Sequence, residues 1–355
     1  MNEHTDTQAR AADAPAVSIL VVSYNTRELT VECLKSVDNG GVGSAPFEVL
    51  LVDNASCDGS VEAIRDAFSR LMFPSLRIFA LEENIGFAAA NNFAAGYARG
   101  TYLLLLNPDT LVRPGAIDRL LEYADFNPEN GIYGGETFFA DGSRNPTAGW
   151  MKPTPWSVFT HSVGLSRLFG GSAFLNPESL AHWSWDAAKP VDIVTGCLLL
   201  IRLGDWNRLG GFDTSFFMYG EDADLCLRAA ARGMQPVLVP GAAIVHYGGA
   251  SEPVRSEKMI RLYRAKVQLF RLHYPAPSAA LMTAMLGLSC LVRMAAFAIA
   301  GMGNRRCEWR RQVPGAGLVG TRRASDLQRR GNEWRSVWSR RAEWMNQPIK
   351  QEIAK

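Results

Sequence analysis

The sequence contains no C-x-x-C pair. Its six cysteines, at 33, 57, 197, 226, 290 and 307, are scattered, which excludes a zinc ribbon, a thioredoxin-like dithiol and a dense disulfide framework, and fits a reducing compartment. Charge of one sign is missing too: 37 Lys plus Arg against 35 Asp plus Glu leave a net +2, so no global electrostatic case for nucleic acid exists. Met1 to Pro15 holds no apolar run; a disordered tail is expected there, not a signal peptide. Up to Ser251 there is no Walker loop and no G-x-G-x-x-G, which argues against an ATP or dinucleotide cradle. Nor does a Gly- and basic-rich loop follow the first apolar run, as a nucleotidyltransferase would want, since Ser23-Tyr-Asn-Thr-Arg27 stands there.

What is present is an alternation. Val17 to Val22 is a continuous apolar run, followed by an amphipathic segment from Arg27 to Val37 with Leu29, Cys33, Leu34 and Val37 on one face. Val49 to Val52 runs into Asp53-Asn-Ala-Ser-Cys-Asp-Gly-Ser60 and a helix to about Leu71. Leu76 to Leu81 leads through Glu82-Glu-Asn-Ile-Gly-Phe87 into the helix Ala88 to Ala98, and Tyr102 to Leu106 stops at Asn107-Pro-Asp-Thr110 with another helix beyond Pro114. Strands apolar on both faces and joined by helices imply a parallel sheet with right-handed crossovers. Ligands of such sheets bind beyond the carboxyl ends of the strands. Those ends carry Asn25, Asp53, Asn54, Asp58, Asn84, Asn107 and Asp109. Each alone reads as an ordinary turn or cap residue; four successive strand ends so furnished read as one binding edge.

Met218-Tyr-Gly-Glu-Asp-Ala-Asp-Leu-Cys-Leu-Arg228 places Glu221, Asp222 and Asp224 in the first turn of an apolar helix. The helix dipole favours acids there, so plain helix-start carboxylates are one reading. Gly210-Gly-Phe-Asp213 and Phe216-Phe-Met-Tyr219 just before them supply aromatic walls, between which a carboxylate can be tuned as a general base. Adjacent helix positions point about 100° apart, so the three acids cannot all address one hydroxyl. Asp224 is expected to meet Arg228, four residues on. His246 follows the strand pair Pro236–Val239 and Ala243–His246, and reads either as a satisfied strand-end histidine or as a ligand; His4, His161, His182 and His273 have no comparable context.

Val52-Asp-Asn-Ala-Ser-Cys-Asp-Gly-Ser60, Asn84-Ile-Gly-Phe87, Leu106-Asn-Pro-Asp-Thr110, Thr195-Gly-Cys-Leu198, and Gly210-Gly-Phe-Asp213 with Gly220-Glu-Asp-Ala-Asp224 together resemble the successive motifs of inverting GT-A-fold glycosyltransferases, glycosyltransferase family 2, in the rhamnosyltransferase-like branch. The match runs from about Val17 to Ser251 in the family's order. The resemblance implies a Rossmann-like, mainly parallel sheet and a nucleotide-sugar donor. It implies that Asp53 reads a pyrimidine base, within a donor set of Ser23, Tyr24, Asn25, Asn54, Asp58, Asn84, Gly86, Phe87, Asn91 and Asn107. It also implies that Asp109 and His246 hold Mg²⁺ or Mn²⁺, that Asp222 is the acceptor base with Glu221 orienting the acceptor, and that Thr195 and Gly196 contact the acceptor. The family's fuller metal motif is Asp-x-Asp; here Asn107 takes the first place, as is familiar in this branch, and either coordinates weakly or shapes the turn. dTDP-L-rhamnose is the first expectation for the donor and a UDP-hexose the second, with a lipid-linked or cell-surface glycan as acceptor. A non-catalytic nucleotide-sugar-binding scaffold is the competing class, and would be expected to lack Asp222 or Asp109.

Phe139 to Pro190 breaks the alternation. Ala140-Asp-Gly-Ser143 reads as a hairpin turn, and Trp150, Trp156, Trp183 and Trp185 follow among Pro and Gly, either as a self-packed loop or as an acceptor platform led by Trp150 and Trp183. Residues 16–251 are therefore expected as one GT-A domain. Residues 252–303 read as an amphipathic helix, Arg255 to His273, and an apolar one, Ala276 to Met302, interrupted by Arg293. Residues 304–355 form a basic tail with eleven Arg against four acids up to Met345, and with Trp309, Trp334, Trp338 and Trp344. A C-terminal region lying at the cytoplasmic face of a membrane is expected, with a core-capping or dimerising helix as the alternative.

Overall fold

A computed structural model describes residues 14–69, 75–181, 183–248, 254–310 and 319–346, with the side chains of 301–325 outside that description. Residues 1–13 of the expected N-terminal tail, His4 among them, and His182 therefore lie outside the described residues, as does Trp309's side chain; Pro15, expected in the tail, is buried and its carbonyl accepts the Thr101 amide at 3.2 Å.

The apolar runs become neighbouring strands. β1 (Val17–Ser23), β2 (Phe47–Asp53), β3 (Leu76–Ala80) and β4 (Tyr102–Leu106) pair in parallel in the order β3-β2-β1-β4, and the helices between them cover both faces. Ile19, Leu51 and Leu104 are fully buried, as the unbroken Val/Ile/Leu runs require. β5 (Thr110–Val112), β6 (Ile132–Phe138), β10 (Leu198–Arg202) and β11 (Val237–His246) extend the sheet in the order β4-β10-β6-β11-β5, with β8 (Lys189–Pro190) paired to β11, while β7 (Gly149–Trp150) and β9 (Ile193–Val194) form a separate pair. Here β10 runs antiparallel to both neighbours and β5 antiparallel to β11, so the sheet is mixed beyond β4.

Two segments differ from the sequence reading. The pair Pro236–Val239 and Ala243–His246 is one strand, β11, whose register against β6 shifts between Leu238 and Ala243. Pro240 has no N–H to give and Gly241 stands at φ +80°, its N–H turned to Oε1 of Glu136 at 2.7 Å, so the chain bulges without leaving the sheet. Pro153–Ser179, expected inside the 16–251 domain, clusters instead with Glu252–Lys355 as a second compact unit, while the sheet unit takes Leu180–Ser251.

In that second unit the helices Pro155–Ser162, Arg255–His273, Ala276–Arg310 and Val319–Ser339 share a core of Val158, Tyr263, Phe270, Met282, Leu286 and Trp334. Trp334 and Trp344, expected at a membrane interface, are core residues with 5% and 1% exposure. Arg293 is accommodated inside the unit: one guanidinium nitrogen lies 3.2 Å from Nε2 of His161, another donates to the Ser289 carbonyl at 3.3 Å, and its plane sits 5.0 Å from the Trp334 ring. Gly315-Ala-Gly-Leu-Val-Gly320 has the glycine spacing of a dinucleotide loop, but it follows this helical segment and not a strand, and 311–318 lie outside the described residues.

Candidate active site

The strand register sets the first cluster. Ser23 lies opposite Asp53 in the β1–β2 ladder, and its hydroxyl donates to Oδ1 of Asp53 at 3.0 Å. The Ser56 amide donates to Oδ2 of Asp53 at 2.9 Å, so the carboxylate is held from both sides at the carboxyl end of β2. Asn25, at φ +52°, receives the Cys57 amide at 2.9 Å, which binds the loop after β1 to the loop after β2. Asp58 accepts the amides of Arg27 and Ser60, each at 3.1 Å; burial alone would raise its pKa, and these hydrogen bonds outweigh it and hold the carboxyl low. Asn54 accepts the Ile85 amide at 3.0 Å and donates to Asn84 at 2.9 Å, joining β2's end to the Asn84-Ile-Gly-Phe87 turn. Asn91 is spent inside its helix, its amide donating to the Phe87 carbonyl at 2.9 Å. Tyr24 is exposed beside this edge.

Asp109 and His246 come together because β5 and β11 pair. Thr110 faces His246 in that ladder, the Tyr247 amide donates to the Asp109 carbonyl at 3.0 Å, and Nε2 of His246 lies 3.2 Å from Oδ1 of Asp109. Burial pushes the imidazole pKa down, and the Asp109 carboxylate together with neighbouring Cys197 outweighs it, to about 10. Asn107 sits across the same turn, its amide donating to the Cys197 carbonyl at 3.2 Å and its carbonyl accepting from the Thr110 hydroxyl at 2.7 Å. Among the described residues no group of three or more His, Cys, Asp or Glu forms a ready metal cage. One carboxylate and one imidazole, whose buried Nδ1 has no hydrogen-bond partner there, suit a cation that completes its shell with oxygens of a diphosphate.

The third cluster is built on the Glu221–Ala230 helix, entered through Gly220 at φ +89°. Asp222 accepts the Gly196 amide at 3.1 Å through Oδ2, and the Thr195 hydroxyl also bonds it. A methyl group at Gly196 would stand 3.7 Å from both Asp222 and the Phe87 ring, so the turn after β9 (Ile193–Val194), the helix start and the Asn84–Phe87 motif converge on this point. Burial raises the Asp222 pKa against those hydrogen bonds. Glu221 is raised further, by burial first and then by the neighbouring Asp222 charge, and its Oε2 is buried without a partner among the described residues. Asp224 points elsewhere: it accepts from Nε of Arg228 at 2.7 Å, the pairing their spacing implied, and Arg228 also caps the carbonyls of Leu209 and Gly211 at 2.7 and 2.8 Å.

The tryptophans divide. Trp150, on β7 (Gly149–Trp150), pairs with Ile193 of β9, one turn before Thr195 and Gly196. Trp183 stacks on Trp185 with centroids 3.8 Å apart, flanked by Lys189 and Arg144, and Trp156 belongs to the helical unit. Two contributors escaped the sequence reading. Cys197 neighbours His246, and Phe217 holds the Asn84–Phe87 turn by accepting the Phe87 amide at 2.8 Å; both sit within stretches already notable for glycine and aromatic content.

The family model "Glycosyl transferase family 2" matches residues 18–175, and "Glycosyl transferase family group 2" matches 102–264. N-acetylglucosaminyl-diphospho-decaprenol L-rhamnosyltransferase of Mycobacterium tuberculosis is 32% identical over 216 residues, covering 57% of this chain and 67% of that protein. Rhamnosyltransferase WbbL of Escherichia coli is 30% identical over 171 residues, 46% of this chain and 61% of that protein. In fold, the chain is similar to mannosyltransferase PcManGT from Pyrobaculum calidifontis, a complex with GDP-Man and Mn²⁺, at TM-score 0.53 and 20% identity over 92% of this chain and 84% of that one.

Proposed function

The chain belongs to glycosyl transferase family 2 and is a glycosyltransferase of GT-A fold, and from that premise we propose that it transfers L-rhamnose from dTDP-L-rhamnose, with inversion, to a lipid-linked glycan at the cytoplasmic face of a membrane. The observation that carries the reading is Asp222, a half-buried carboxylate with a raised pKa, at the point where Gly196 and Phe87 meet. Inversion needs a base on the face of the sugar opposite the leaving diphosphate. Asp222 removes the acceptor hydroxyl's proton as that oxygen bonds to the anomeric carbon and the C–O bond to the diphosphate breaks. Glu221, buried beside it, retains a proton more readily and supports the base without competing for the same hydroxyl. Asp53 accepts the N3–H of the pyrimidine, fixed for this by Ser23 and Ser56. Thr195, Gly196 and Trp150 border the acceptor's approach, with Trp183 farther along the same segment.

Asp109 and His246 would hold Mg²⁺ or Mn²⁺, which when bound neutralises charge on the departing diphosphate. The rhamnose donor is supported by the two rhamnosyltransferase relatives, and the lipid-linked acceptor by the diphospho-decaprenol substrate named for one of them. A transfer assay with dTDP-rhamnose and UDP-hexoses against diphospho-prenol sugar acceptors, with Mg²⁺ or Mn²⁺, tests it. Turnover only with a UDP-hexose would displace the rhamnose donor, and binding without turnover across the panel would favour a scaffold.

A further inference from the structure

The surface of the helical unit leaves one feature that the transfer reaction does not use. From Ala280 to Ala300 every exposed residue of the long helix is Ala, Leu or Ile. Leu281, Ala284, Leu288, Leu291, Ala295 and Ile299 recur at spacings of three and four, which puts them on one face. Leu281 is 50% and Ile299 64% exposed, whereas Met282, Leu286 and Cys290 on the opposite face are in the core. The polar side chains of this stretch lie away from that face: Thr283 is buried and donates to the Ala279 carbonyl at 2.7 Å, and Ser289 and Arg293 are engaged with Tyr263, His161 and Trp334.

We infer that this face, not the tryptophans of the tail, seats the protein on an anionic bilayer, with the helix lying in the interface and not crossing it. The inference rests on the reading that the acceptor is lipid-linked. By length and hydropathy Ala276–Ala300 could cross a membrane. Its packed partner Arg255–His273 argues otherwise, because Arg255, Lys258, Arg261, Arg264, Lys266 and Arg271 on that helix cannot enter hydrocarbon, and the shared core holds the two together. A helix with one apolar face and a charged companion fits the headgroup boundary. The unit's exposed arginines, among them Arg264, Arg330, Arg335 and Arg341, complement anionic lipid, whereas they would repel one another across a twofold contact between copies.

The test is flotation of the full-length protein with phosphatidylcholine–phosphatidylglycerol vesicles. Wild type is expected to float, Leu288→Asp/Leu291→Asp to stay behind, and Ala284→Leu/Ala295→Leu, which adds apolar area without changing charge, to bind at least about tenfold more tightly. The second variant keeps the test decisive should the first misfold. Equal flotation of all three proteins overturns the assignment of this face while leaving a membrane-bound enzyme in place. Failure of wild type to float removes the membrane reading and the face together. A wild-type dimer in solution that becomes monomeric in Leu288→Asp/Leu291→Asp makes a second copy the occupant and overturns the proposal.

Discussion

The backbone N–H of Gly196 donates a 3.1 Å hydrogen bond to Oδ2 of Asp222, joining the turn after β9 to the start of the acidic helix. That bond orients the carboxylate and stabilises its ionised form, while burial works against ionisation and wins, so Asp222 titrates above an ordinary aspartate. Asp222→Asn keeps the shape and removes the basicity. It is expected to bind donor normally and to lose transfer by at least about a hundredfold in single-turnover measurements. Near-normal transfer in this variant, with Glu221→Gln inactive, would move the base by one residue.

Because the base must be ionised, transfer falls as pH drops through the raised Asp222 pKa. The acidic limb of the pH–kcat profile should therefore lie above the usual aspartate range. Glu221, raised further by burial and by the Asp222 charge, keeps its proton over that range, so Glu221→Gln, which replaces a neutral carboxyl by a neutral amide, should leave the limb where it is. A limb that moved to lower pH in Glu221→Gln would mean that Glu221 is charged while Asp222 titrates.

Asp109→Asn and His246→Ala are each expected to weaken the response of turnover to added Mn²⁺, and excess EDTA to abolish turnover in wild type. Direct titration of Mn²⁺ by its paramagnetic signal, with dTDP present, separates loss of cation binding from loss of chemistry. Full turnover in EDTA would exclude the metal role assigned to this pair.

Much of this was legible in the sequence, and for a simple reason. β1 to β4 are continuous apolar runs whose ends fall at Asn and Asp, and the Asp224–Arg228 pair follows from helical spacing alone. What was hidden depends on contacts between distant residues. Pro240 and Gly241 look like a break between two strands, and only the Gly241–Glu136 bond shows the bulge that keeps β11 whole. The tryptophans from 150 to 185 carry no periodicity, so nothing local indicates that Trp156 joins the helices while Trp150 stays with the sheet. Trp334 and Trp344 have the composition of an interface and the burial of a core, which composition alone cannot distinguish.

Gly86 is held at φ +87°, and a Cβ there would meet the Phe217 carbonyl at 2.6 Å, the same oxygen that accepts the Phe87 amide. Gly86→Ala therefore combines an unfavourable backbone conformation with a main-chain clash, costing at least about 2 kcal/mol. The Asn84–Phe87 turn must shift, so KM for donor should rise more than kcat falls. An unchanged melting temperature together with unchanged donor affinity would contradict the geometry.

Glu48 is a buried carboxylate that no motif announces, because its partners are far apart in sequence. With 1% exposure it accepts from the Ser18 hydroxyl at 2.7 Å, the Arg99 amide at 2.7 Å and Arg77 at 2.8 Å. Burial pushes its pKa up, but the hydrogen bonds of Ser18 and Arg99 and the charge of Arg77 outweigh it, so the folded pKa lies below the ordinary glutamate value. The stabilisation is therefore fully present above the unfolded pKa and is lost as pH falls through the folded one. Glu48→Gln removes the charge and one acceptor while leaving Arg77 and Arg99 partly solvated, so the loss at neutral pH is expected to be about 1–3 kcal/mol. Urea denaturation of both proteins across the acid range measures this directly: the gap should be constant near neutrality and close below the ordinary carboxylate pKa. A gap that widened on acidification would mean that the folded state holds Glu48 protonated and that burial, not its partners, sets its charge.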